Sequence, residues 1–214
     1  EALDAELEEI PSSFNVCPGR ENPVIAEGDD GIASAKMRWG LVPNWSKEPR
    51  TDASSINARS ETMAEKPFFR DSFRSRRCLV PADGYYEWLT DGKRKTPFFI
   101  HLPREEPFAF AGLWDRWEGS GTEPFFSYAV ATTEAAESVR FIHHRMPVVL
   151  PERHWMAWLD SSTSTDDLSS ILKDAKSGFE YRTVSDLVND VKNEGPELSR
   201  LVKRDQQDIL DFPW

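Results

Sequence analysis

The chain has 214 residues, 39% hydrophobic and 29% charged, which is enough to bury a core and is ordinary for a folded soluble protein. No apolar run reaches the length of a membrane-spanning helix and no signal peptide or lipidation motif is visible, so a cytoplasmic protein with no membrane partner is expected. The net charge of -11 excludes a globally basic nucleic-acid binder, and any polyanion must be met by a local basic patch.

The basic residues are mostly Arg, and an acidic surface poor in Lys suits concentrated salt, so a halophilic source is an expectation. Cys17 and Cys78 are too few and too isolated for a disulfide or metal framework, and neither metal nor cofactor is expected. One α+β domain is predicted over residues 1–200, followed by a tail over 201–214.

In chain order, Leu3, Leu7 and Ile10 stand at helical spacing before Pro11, predicting an acidic amphipathic helix over residues 1–10. Pro23 to Ala26 reads as a strand, Gly28 to Gly31 as a turn, and Lys36 to Trp45 as a strand ending in a Pro-bearing loop that displays Trp45. If the Ile56 to Glu61 segment is extended, Asn57 and Arg59 share a face. The stretch from Lys66 to Arg77 is strongly basic. A helix there would turn Phe69 and Phe73 inward and Arg70 and Arg74 outward.

That helix leads into a strand at Cys78, a turn over Pro81 to Gly84, and then Glu87 among Tyr85, Tyr86 and Trp88. A carboxylate walled by three rings loses hydration, which raises its pKa toward the range of acid–base work. Pro97 to His101, Phe108 to Leu113 and Phe125 to Thr132 are predicted strands of one sheet system, and Glu134 to Arg140 a short helix. Pro151 opens a helix through Leu159, and Thr165 is a candidate cap for a helix over Asp166 to Lys176. Tyr181 to Val184 reads as a late strand, Asn189 to Glu197 as an ordered loop, and the end of the chain as a weak helix and tail.

Asn57, Glu87, His143 and His144 are polar groups in apolar or aromatic surroundings. Neighbouring residues of an extended segment face opposite ways, and no carboxylate or Cys stands at zinc spacing beside the two His, so a metal site is disfavoured. Trp45, Arg59, Arg70, Arg74 and Arg145 could compose a single-stranded nucleic-acid groove, since bases stack on rings while guanidinium groups hold phosphates. The bland reading gives most of the aromatic residues to the core.

Five motifs in order then carry a resemblance: Trp39 to Trp45, Ile56 to Thr62, Arg77 to Trp88, Ile142 to Val148 and Val191 to Leu198. Together they resemble the SRAP domain, the SOS response-associated peptidase family. The resemblance implies a single domain with a β-rich, barrel-like core of mixed and antiparallel strands flanked by helices. It implies a monomeric, nucleoid-associated prokaryotic protein that binds abasic sites in single-stranded DNA and links to them covalently. The linkage it implies is a thiazolidine between an N-terminal Cys and the ring-opened sugar, after autoproteolytic removal of the initiator Met. By motif, Glu87 is the acid/base residue, Asn57 holds the reacting end, and His143 assists ring opening. Arg59 and Arg145 match phosphate-contacting positions, and Asn15, Pro18 and Trp45 match residues that line the DNA groove. His144 fills a position that is more often acidic. The natural start, something close to Met-Cys-Gly-Arg, is expected upstream of Glu1. Two rival readings are a non-covalent reader of damaged DNA and a peptidase acting on other proteins, although no G-x-S-x-G motif is present.

Overall fold

The computed structural model describes residues 12–28, 31–49, 51–119 and 121–202. The helix expected over residues 1–10 lies outside them, as do all but the first two residues of the tail expected over 201–214. The strands are β1 (Glu21–Gly28), β2 (Gly31–Trp39), β3 (Asn57–Arg59), β4 (Arg77–Ala82), β5 (Tyr85–Asp91), β6 (Arg94–His101), β7 (Phe108–Gly119), β8 (Thr122–Glu134), β9 (Arg145–Pro147), β10 (Val149–Leu150) and β11 (Glu180–Thr183). The α-helices are short: α1 (Arg70–Ser75), α2 (Trp155–Leu159) and α3 (Thr165–Lys173).

β1 and β2 form a hairpin, β4 pairs with β1, β7 with β4, and β8 with β7, all antiparallel. β2 then meets β8 in parallel through Arg38↔Ser127 and Trp39↔Tyr128, closing a five-strand mixed barrel. Alternation along the barrel strands makes two cores, one on each face: Ala109, Ala111, Ala129 and Ala131 share the first with Ile25, Leu79 and Leu113. Phe69, Phe73, Trp158, Leu159 and Leu168 complete that core.

The strands do not all join one sheet, as the sequence suggested. β5, β6 and β11 form a separate three-stranded sheet in the order β11-β6-β5. Its Phe98 and Ile100 share a second core with Val24, Cys78, Val80, Phe110, Tyr128 and Val130, from the opposite face of the barrel strands. The β5–β6 hairpin turns at Gly92, whose φ of 55° places it in the left-handed region that Gly tolerates. Gly84 delivers the chain from the barrel into β5. A Cβ there would lie 2.1 Å from Cζ of buried Phe99, so no other residue fits without moving that ring.

β8 is held on both edges. Val130 pairs with Asn57 on one side and Gly112 on the other, and Thr132 pairs with Arg59 and with Pro147. The pairing continues to Glu134↔Arg145, and Ala135 N donates to His144 O at 3.0 Å. This ladder overrides the helix expected over Glu134 to Arg140. The segment instead turns back through i→i+3 bonds such as Val139 N to Ala136 O and Ile142 N to Val139 O.

The expected stripe at α1 holds, with Phe69 and Phe73 buried and Arg70 and Arg74 exposed. The basic run ends inside the protein, however. Arg77 is 1% exposed and donates from Nε to Trp158 O (2.7 Å), from Nη1 to Phe73 O (2.8 Å) and from Nη2 to Asp160 O (2.6 Å). These are carbonyls at the C-terminal parts of α1 and α2, which lack helical partners and carry partial negative charge. α3 is capped one residue earlier than expected, by the Ser164 hydroxyl accepting from Asp167 N.

Candidate functional site

Strand alternation decides what surrounds Glu87. Tyr85, Glu87 and Leu89 share the face of β5 turned to the barrel, where Tyr85 and Leu89 pack on the second core. Tyr86 and Trp88 take the other face, against Phe99, Val184 and Val188. The three-ring wall expected from sequence is therefore one ring on Glu87's own face. The Tyr85 hydroxyl is buried with no partner among the described residues, and burial, with a smaller contribution from the Glu87 charge, pushes its pKa well up. Tyr85 is thus a neutral donor-capable group on the Glu87 side.

Across from Glu87 stands His143, with Nδ1 3.9 Å from Glu87 Oε2. The imidazole sits in a backbone cradle: Nδ1 is 3.2 Å from Arg145 N and 3.1 Å from Arg145 O. A bare Nδ1 accepts from that N–H, and a protonated one donates to that carbonyl, so the cradle serves both states of the ring. Glu87 Oε1 accepts from Trp88 N at 3.1 Å. The two side chains, 27% and 39% exposed, face an open cleft of ≈ 380 Å³ that Trp88, Thr90, Lys95 and Asn189 also line.

A second cleft of ≈ 340 Å³ lies on the other side of the 140–145 loop, lined by Arg59, Glu134, Arg140, His144 and Arg145. The two His rings do not point apart as an extended segment would require. Residues 143 and 144 lie outside the strands, and their ring centroids are 4.4 Å apart. They nevertheless open onto different clefts, His143 with Glu87 and His144 with the arginines.

Asn57 and Arg59 alternate with buried Ala58 on β3, so both present exposed side chains on one face. Arg145 is anchored to β8 by Nη2 to Thr132 O at 2.7 Å, and its fork is taken by Glu61, with Nη1 to Oε1 at 2.6 Å and Nη2 to Oε2 at 2.9 Å. The Arg145 guanidinium holds the Glu61 carboxyl below its usual pKa.

Pro18 is exposed in a segment tied to the end of β2 by Gly19 N donating to Trp39 O, and the Trp39 ring in turn donates from Nε1 to Ile56 O, just before β3. Trp45 is 57% exposed, edge-on to Phe68, and its loop is held by Asp115 Oδ2 accepting from Asn44 N at 3.0 Å. Arg70 and Arg74 stand on α1 near Phe68, apart from both clefts. Asn15 departs from the expectation of a groove-lining residue. It is buried, and its amide nitrogen donates to the carbonyls of Val188, Asp190 and Asn193, tying the entry segment to the late loop.

Sequence reasoning missed Lys95, Asn189 and Glu61. Lys95 could have been found by counting back from the Asp91-Gly92 turn, since Asp91↔Arg94 puts Lys95 opposite Thr90. Asn189 reaches the cleft through Trp88 Nε1, a contact with no local signal. Among the described residues no group of three or more His, Cys, Asp or Glu could hold a metal ion. Cys78 is fully buried and burial pushes its thiol pKa well up, which makes it a poor nucleophile.

A family model described as SOS response associated peptidase (SRAP) matches residues 1–191. The chain belongs to the SRAP family. Among similar SRAP relatives is the abasic site processing protein YoqW of Bacillus subtilis (strain 168), 40% identical over 194 residues that cover 89% of this chain and 86% of that protein. The abasic site processing protein HMCES of Xenopus tropicalis is 31% identical over 227 residues, covering 91% of this chain and 67% of that protein. A crystal structure of a protein from Bacteroides thetaiotaomicron superimposes with a TM-score of 0.75 at 29% identity, covering 86% of this chain and 82% of that one. The barrel with its added small sheet is thus the SRAP fold, built here by the strands that carry Asn57, Glu87 and Arg145.

Proposed function

We propose that this protein captures abasic sites in single-stranded DNA and joins them covalently through an N-terminal Cys. The observation that carries the reading is the Glu87–His143 pair at 3.9 Å, one loop away from the cleft of Arg59 and Arg145. An acid–base pair beside phosphate-sized cationic groups suits a substrate whose reacting carbon lies on a phosphodiester backbone. The relatives named abasic site processing proteins support the same substrate.

In this reading His143 takes the proton of the sugar's hemiacetal hydroxyl and returns it to the ring oxygen as the ring C–O bond breaks, which opens the sugar to an aldehyde and a free hydroxyl. The α-amine adds to the aldehyde carbon, and Glu87 gives a proton to the departing hydroxyl, so that one water leaves and an imine remains. The thiol then adds across the C=N bond, its sulfur bonding to carbon and its proton passing to nitrogen. Asn57 holds the amine end by hydrogen bonding. A separation of 3.9 Å exceeds a hydrogen bond, and such contacts tighten when substrate fills the site. Hydrolytic removal of the initiator Met supplies the free amine. Cys17 and Cys78 have their nitrogens in peptide bonds and cannot form the five-membered ring.

The test is intact mass after mixing with an abasic single strand. The chain carrying a Met-Cys start should give a denaturation-resistant adduct whose mass is the sum of both, less one Met residue and one water. Glu1–Trp214 alone should bind reversibly. An adduct on Glu1–Trp214 mapped to Cys17, Cys78 or a Lys would overturn the mechanism.

A further inference from the structure

Arg145 matches a phosphate-contacting position, yet its fork is already full. Glu61 meets Nη1 and Nη2 with two oxygens at 2.6 and 2.9 Å, the arrangement a phosphodiester's two free oxygens would adopt. The layering is also informative: the Arg145 side chain is 18% exposed and Glu61 is 47% exposed, so an anion approaching from solvent meets Glu61 first.

We propose that Glu61 is a resident anion on the phosphate-binding fork of Arg145, and that a DNA phosphate engages the arginine by displacing it. This rests on the single-stranded DNA reading above. The two partners are held very differently. Arg145 keeps Thr132 O through Nη2, its backbone N–H lies against His143 Nδ1, and β9 is paired to β8, so the guanidinium stays in place when the carboxylate leaves. Glu61 lies on the turn after β3, and among the described residues the only other residue hydrogen-bonded to its carboxylate is Arg145, its own backbone N–H aside. Side-chain rotation alone removes it. The positive field of Arg59 also acts on Glu61, so the displaced carboxylate has a second cation nearby.

The exchange has a sign that ordinary positioning lacks. If Glu61 merely aims Arg145, removing its charge weakens binding. If Glu61 competes with phosphate, removing its charge strengthens binding. Glu61→Gln keeps an oxygen acceptor and the side-chain length while abolishing the competing charge. It should bind single-stranded DNA about two- to fivefold tighter, the range expected for releasing one exposed ion pair.

Loss of any negative charge near DNA could raise affinity, so the decisive measurement is a cycle. In an Arg145→Gln background, whose fold is checked by its melting curve, Glu61→Gln should change affinity by less than about 1.5-fold. Glu134→Gln, in the same cleft, should give a smaller gain than Glu61→Gln. Unchanged or weaker binding by Glu61→Gln, an equal gain in the Arg145→Gln background, or an equal gain from Glu134→Gln would each overturn the proposal. Absence of salt-dependent binding by the wild type and every variant would instead sink the functional reading itself, and this inference with it.

Discussion

Replacing Arg77 by Met removes a guanidinium and keeps much of its aliphatic volume. Three hydrogen bonds to the carbonyls of Trp158, Phe73 and Asp160 are lost, the first two buried and the third partly buried. Hydrogen bonds to charged groups contribute about 1.5–3 kcal/mol each, which sets a gross loss of about 4.5–9 kcal/mol. Relief from burying the charge offsets part of it, leaving about 3–5 kcal/mol, the usual range for breaking a buried ionic network. For a chain of this size, each kcal/mol moves Tm by about 2–4 °C, so a fall of roughly 6–20 °C is expected. Urea unfolding followed by Trp fluorescence should report the same loss, since Trp158, whose carbonyl accepts from Arg77, is fully buried. Arg77→Lys should recover only part, since a point-like ammonium cannot reach three diverging carbonyls. A Tm for Arg77→Met within about 2 °C of wild type would refute the clamp, because no buried network of this kind is that inexpensive to remove.

Further outcomes concern the site and its charges. His143→Ala should slow cross-linking at saturating DNA by about 10²-fold or more, as for a lost acid–base group, whereas His144→Asp should keep the single-turnover rate and lose only affinity, because His144 lines the arginine cleft. Equal loss of rate in both variants would contradict this assignment. Melting temperature should fall with acidification in a way that depends on Glu61 and Asp174, which are held below their usual pKa by Arg145 and by His154 with Arg153 respectively. A depressed carboxyl contributes stability above the ordinary carboxylate range and loses it as pH falls through the depressed value, so Glu61→Gln and Asp174→Asn should each flatten the acid limb of Tm against pH. Limbs that run parallel to wild type would argue against those ion pairs.

Where burial alternates along a strand, the sequence was informative. Alternation placed Asn57 and Arg59 on one face, and the Asp91-Gly92 turn fixed the register that sets Glu87 opposite Phe98. What it could not carry was partnership across distance. Glu134 to Arg140 has helical propensity, but Glu134 finds Arg145 across the ladder, and a backbone pairing outweighs a local preference worth tenths of a kcal/mol per residue. Asn15 looks like a surface polar residue until Val188, Asp190 and Asn193 return from the far end of the chain to accept its amide. The meeting of Glu87 with His143 is likewise tertiary, since neither segment contains a sign of the other; the family motifs supplied it.

The two-sided pairing of β8 has a geometric consequence for Arg59 and Arg145. They spring from β3 and β9 on opposite flanks of one strand, registered to Thr132 and Glu134. Strands lie about 4.8 Å apart and rise about 3.3 Å per residue, so the two side chains depart from points about 10 Å apart sideways and about 7 Å lengthwise. Backbone hydrogen bonds set that gauge, not side-chain packing. Substitutions on β8 can alter what lies between the two cations but not the interval; only an inserted or deleted residue would re-space them. On the proposed reading, a flexible single strand would have to conform to a rigid template, and the entropy of ordering would fall on the DNA.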